Sequence, residues 1–97
     1  MFKHVVLIRL HAPLAAADLA AITRLCKAIA AELPGVASMR FVANESTRSP
    51  AWTHAFVACF DDVAAHDNYQ QAPLHVQLKR RVDALARETV VLDYHQP

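Results

Sequence analysis

The sequence contains a single glycine, Gly35, in 97 residues. It follows Leu33–Pro34, where a residue free to turn left-handed ends a helix, so the stop there should be tight. Cysteine is nearly as scarce. Cys26 falls in a helical pattern and Cys59 in a strand pattern, each among apolar neighbours. They read as small buried hydrophobes in a reducing compartment, not as a disulfide or a metal pair. Neither sign of charge prevails, since ten Lys and Arg stand against nine Asp and Glu. The longest basic run, Lys79–Arg80–Arg81, lies in a helical pattern and reads as a solvated face, so no nucleic acid partner is expected. No apolar run approaches the roughly 18 residues that span a membrane. The opening Met1–Phe2–Lys3–His4–Val5 enters a strand directly, with no charged leader or cleavage site. A cytoplasmic protein bound to no membrane is the expectation. Repeats, linkers and low-complexity tracts are absent, which leaves one domain over residues 1–97.

What is abundant is apolar surface, at 55% of residues. A domain this small buries a modest fraction of its surface. An excess of apolar residues therefore points to cover from a second subunit.

The order of elements follows from periodicity. Residues 2–10 alternate, with Phe2, His4, Val6, Ile8 and Leu10 on one face and Lys3, Val5, Leu7 and Arg9 on the other. Both faces are apolar at the centre, so both should be covered. Asp18 opens a helix as cap and dipole partner, and Leu19, Ile22, Cys26, Ile29 and Leu33 form its apolar stripe. Val36 to Val42 reads as a second strand, residues 44–51 as a polar loop, and Trp52 to Phe60 as a third strand. Asp61–Asp62 caps a short helical piece through about Gln71, and Pro73 opens the next helix. There His75, Leu78, Val82 and Leu85 point inward. Thr89 to Tyr94 is rich in β-formers and makes the last strand. The order β-α-β-β-α-β predicts an α+β, ferredoxin-like fold with a four-stranded antiparallel sheet and helices on one face. The uncovered apolar face predicts a homodimer, two sheets facing one another as a dimeric α/β barrel.

Reactive side chains gather at one stretch, Tyr69–Gln70–Gln71–Ala72–Pro73–Leu74–His75. It sets a phenol and an imidazole six residues apart across a helix break. His75 sits in the first turn of its helix, where the positive dipole end disfavours imidazolium and favours the base form. A neutral histidine suits proton abstraction, and a phenol suits donation to an oxygen that becomes negative. His4 and His54 lie on inward strand positions from which they can approach this pair. Val6, Ile8, Phe56 and Leu78 are the expected apolar lining, which predicts an apolar or aromatic ligand. His11, His66 and His95 read as surface residues. Asp93 and Tyr94 read as dimer-edge structure. No two histidines have the helical four-residue spacing of metal ligands, so neither metal nor cofactor is expected.

Four segments carry a resemblance to a known family: Phe2–Lys3–His4–Val5–Val6–Leu7, Leu33–Pro34–Gly35–Val36, Tyr69 with Pro73–Leu74–His75–Val76, and Val90–Val91–Leu92–Asp93–Tyr94. In this order they resemble the Dabb family, the stress-responsive dimeric α/β-barrel domains. The resemblance implies the ferredoxin-like fold and the homodimer. One plant branch of the family closes a linear polyketide by an aldol-type condensation without metal or organic cofactor. By this resemblance Tyr69 and His75 serve as the catalytic pair, with His4 and His54 in or near the site. The sequence departs at Ala72, where the family commonly carries a second histidine. Two classes of function follow: a cofactor-independent cyclase or isomerase acting on an enolisable carbonyl compound, or a non-catalytic stress-related domain that dimerises and binds a ligand. Haem binding and cofactor-free oxygenation, both seen on related barrels, are weaker alternatives.

Overall fold

The computed structural model describes all 97 residues. Strand β1 (Phe2–Leu10) leads into helix α1 (Ala16–Glu32), then β2 (Val36–Ala43) and β3 (His54–Phe60). Helices α2 (Val63–Gln71) and α3 (Pro73–Leu85) precede β4 (Ala86–His95). The four strands form one antiparallel sheet in the order β2-β3-β1-β4. This is the expected architecture, with the second helical layer divided in two.

The division has a local cause. Ala72 precedes Pro73, and the proline ring disfavours helical backbone at the residue before it. Ala72 is accordingly extended, at φ −70° and ψ 142°, and serves as both the C-cap of α2 and the N-cap of α3. Asp62 caps α2 by accepting a hydrogen bond from the Ala65 amide at 2.8 Å. Helix α1 differs from expectation at its start. It begins at Ala16 with Ala15 as an N-cap that makes no side-chain bond. Asp18 lies inside the first turn, 3.7 Å from Arg81 of α3, and caps nothing. Leu19 is also off the buried stripe, which runs through Ala21, Ile22, Cys26 and Ile29.

Gly35 has φ 77°, the left-handed turn its position predicts. It has a second constraint that the sequence does not display. A Cβ built on Gly35 would stand 2.5 Å from the Cβ of Ala65 in α2. The turn after α1 thus presses against the first turn of α2, and only glycine fits.

The two sheet faces differ sharply. The helix side carries Phe2, His4, Ile8, Phe56, Ala58 and Phe60, all buried, against Ile22, Cys26, Ile29, Tyr69 and Leu78 of the helices. On the opposite side, Leu7, Val57, Val90, Leu92 and Tyr94 are 39–58% exposed. Strand β4 lies at the sheet edge and is exposed along nearly its whole length. No helix is long and apolar enough to cross a membrane.

Candidate functional site

Tyr69 and His75 come together because the chain turns at Ala72–Pro73. Tyr69 is in the last turn of α2 and buried; His75 is in the first turn of α3 and half-buried. Their ring centroids are 4.4 Å apart. His75 Nδ1 lies 2.9 Å from the Gln70 carbonyl oxygen. A carbonyl only accepts, so Nδ1 carries the proton and Nε2 keeps its lone pair. Burial pushes the His75 pKa below its ordinary 6.5, and electrostatic repulsion from His4 and Lys79 adds to this, while the Gln70 bond acts the other way. The direction is the one expected from the helix terminus, with desolvation as the leading cause. Burial likewise raises the Tyr69 pKa, with Cys26 contributing, so the phenol holds its proton at neutral pH. No buried side-chain nitrogen or oxygen is left without a partner. The Tyr69 hydroxyl makes no hydrogen bond within the chain, and so reaches the surface of the hollow beside it.

That hollow has a volume of about 230 Å³ and lies between α2–α3 and the β1–β4 side of the sheet. His4, Val6, Phe56, Tyr69 and His75 line it, as do Gln70, Lys79, Val82, Asp83, Thr89 and Val91. Four of the eight residues named from the sequence, Tyr69, His75, Val6 and Phe56, meet at one wall. His4 joins them from β1, its ring centroid 6.2 Å from that of Tyr69.

Three named residues do not meet there. His54 pairs with Ile8, four residues along β1 from His4, about 13 Å away at the rise of a strand. It stacks on Phe41 with centroids 5.0 Å apart and rings parallel within 2°. Its Nδ1 contacts the Thr53 hydroxyl at 2.9 Å. The loop at residues 44–51 joins β2 to β3 at this same end, away from Tyr69 and His75. Ile8 and Leu78, 1% and 3% exposed, are sealed in the core instead of standing on the wall. Strand alternation selects a face, but only packing separates wall from interior.

Two other residues enter the region unexpectedly. His66, read from the sequence as a surface residue, is 5% exposed. Its ring lies 4.7 Å from His4, 4.9 Å from Phe2 and 5.1 Å from Phe60. The signal was present in the spacing: His66 and Tyr69 are three apart on one short helix and must share a face. Burial, with His4 next, lowers the His66 pKa. Asp93 pairs in register with His4, and its Oδ1 lies 2.5 Å from His4 Nδ1. Strand pairing, invisible in the separate segments, brings the two together. Larger hollows exist, including one of about 650 Å³ between α1 and α3, lined by Arg24, Arg80 and Arg81. None of them pairs a phenol with a neutral imidazole.

The family profile described as the stress-responsive A/B barrel domain matches residues 2–96. The chain belongs to that family. No curated protein sequence matches it. Among solved structures, this A/B barrel chain is similar to a dimeric ferredoxin-like protein of unknown function from Jannaschia sp. CCS1, at 24% identity and TM-score 0.86, covering 98% of each chain. A Dabb family protein with a ferredoxin-like fold from Mesorhizobium loti is 22% identical, at TM-score 0.79 over 99% of this chain and 96% of that one. The hydroxynitrile lyase of Passiflora edulis is 20% identical, at TM-score 0.80 over 96% and 90%. At these identities the likeness establishes the fold of the A/B barrel and nothing narrower.

Proposed function

We propose that this A/B barrel protein is a homodimer with one small ligand pocket per subunit, in which His75 and Tyr69 act as a proton-transfer pair on an enolisable carbonyl compound. The observation that carries the reading is the 4.4 Å approach of the two rings at the wall of an open hollow. His75 Nε2 takes a proton from the carbon beside the carbonyl. The Tyr69 hydroxyl donates to the carbonyl oxygen as negative charge gathers there. The resulting enolate then closes a ring, moves a double bond or expels a leaving group. Cyclase, isomerase and elimination chemistry all begin with this step.

The pocket volume limits the ligand. At about 230 Å³ it lies below the roughly 300–1,000 Å³ typical of drug-sized sites, which suits a single aromatic ring or a short chain. Val6, Phe56, Val82 and Val91 give it an apolar wall, and Lys79, ion-paired with Asp83 at 2.9 Å, adds a polar patch.

Deuterium exchange tests the chemistry. In D₂O, the wild type is expected to speed exchange of the methyl protons of acetophenone, read by NMR, and His75→Ala to abolish the effect. Equal exchange with and without protein leaves a binding domain without this catalysis.

The dimer reading rests on the apolar sheet face, where Leu7, Val57, Val90, Leu92 and Tyr94 are all more than a third exposed. Three neighbours are themselves described as dimeric. Light scattering is expected to give twice the chain mass, and Leu92→Lys, the most exposed of these side chains, to favour the monomer. A wild-type monomer at micromolar concentration would overturn this part.

A further inference from the structure

We propose that His4, His66 and Asp93 bind one divalent transition ion of the zinc or cobalt class, beside the pocket that His4 lines. The inference goes beyond the Tyr69–His75 reading and does not depend on it.

The three side chains come from three elements: β1, α2 and β4. Each offers one ligand atom, and these atoms all lie within 4.8 Å of one another. Two imidazoles and a carboxylate are a donor set that zinc and its neighbours accept, with a fourth position left open. Donors on a tetrahedral zinc stand about 3.3 Å apart, from the bond lengths of such sites, so closure needs side-chain shifts on the order of 1 Å. Asp93 can supply that movement. Its side chain is 35% exposed on the edge strand, whereas those of His4 and His66 are 8% and 7% exposed and held by their surroundings.

Burial argues that the two histidines have a purpose beyond packing. They lie with centroids 4.7 Å apart between Phe2, Phe60 and Tyr69. Apolar side chains would fill such a place without the cost of desolvating two imidazoles. His66 keeps one ring nitrogen free of hydrogen bonds within the chain. Its Nε2 contacts the Gln70 side-chain nitrogen at 3.2 Å, while its Nδ1 has only the Asp67 carboxylate at 3.9 Å, beyond hydrogen-bond reach. With its amide turned so that the oxygen accepts from Nε2–H, Gln70 would orient the ring and leave Nδ1 free for the ion. His4 also lines the pocket, and the exposed edge at Asp93 offers an entry path.

Calorimetric titration of metal-stripped, tag-free protein with Zn²⁺ tests the proposal, with Co²⁺ absorption spectra reporting the coordination. One ion per chain is expected. His66→Leu and Asp93→Asn should each weaken binding at least tenfold, and His75→Ala should leave it unchanged. Should His66→Leu fold poorly by circular dichroism, Asp93→Asn at the sheet edge carries the test alone. Absence of saturable binding overturns the proposal, as does binding that survives Asp93→Asn or disappears in His75→Ala. Because His75→Ala is expected to keep the ion while losing proton exchange, the two readings fail separately.

Discussion

His4 and His54 occupy the same side of the sheet, towards opposite ends of the ladder that pairs β1 with β3. At the His4 end, α2 and α3 meet at the Ala72–Pro73 break, and the rings of His66, Tyr69 and His75 crowd above the strand. At the His54 end no helix break occurs. The imidazole lies flat on Phe41 and contacts Thr53, beside the loop that joins β2 to β3. Similar residues on similar strand positions thus receive different surroundings. A helix end brings backbone carbonyls, a fixed tautomer and an opening, whereas a stacked strand position brings only contact. The candidate chemistry belongs to the end where helices stop.

Core deletion should separate the ends most strongly. Phe60 is fully buried and touches His4, His66 and Tyr69, so Phe60→Ala is expected to cost about 3–5 kcal/mol in urea unfolding. Phe41 is only half-buried, and Phe41→Ala should cost clearly less. Equal losses would mean that the two ends are packed alike. Next comes ligand binding. An aromatic acid that raises the melting temperature of the wild type should lose that effect in His75→Ala and keep it in His54→Ala. If His54→Ala loses it as well, the pocket extends along the whole strand face.

Acidification should give the smallest effect. Burial lowers the pKa of both His54 and His75 below 6.5. In the unfolded chain each takes a proton near pH 6.5; in the folded chain, only at lower pH. Their contribution to stability is therefore complete above pH 6.5 and is lost as pH falls through the folded values. Melting temperature should decline on passing from pH 7.5 to pH 5, and the decline should be shallower in His54→Gln and in His75→Gln. Proton exchange that depends on neutral His75 should keep its rate to below pH 6.5. An acid limb above that value would point to a different base.

Most of the fold was legible in the residues because its causes are local. Alternation over residues 2–10, the stop at Leu33–Pro34–Gly35 and proline at the start of α3 act within a few residues of where they stand. The Tyr69–His75 pair was legible for the same reason, since one helix break holds both. His66 was missed as a polar residue on a short helix, although its three-residue spacing from Tyr69 already fixed its face. Ile8, Leu78 and His54 do not line the wall expected of them, because strand alternation and helical spacing give an inward side and leave wall and interior to packing.

The sequence by itself determined the order of elements and the meeting of phenol and imidazole across Ala72–Pro73. Only the tertiary structure decided that Asp93 stands against His4, that His66 is buried beside them, and that Gly35 presses on Ala65. Local backbone preference acts between near neighbours in the chain and can be read from them. Contacts between β1 and β4, 89 residues apart at His4 and Asp93, exist only once strand register is set by the packing of the whole sheet.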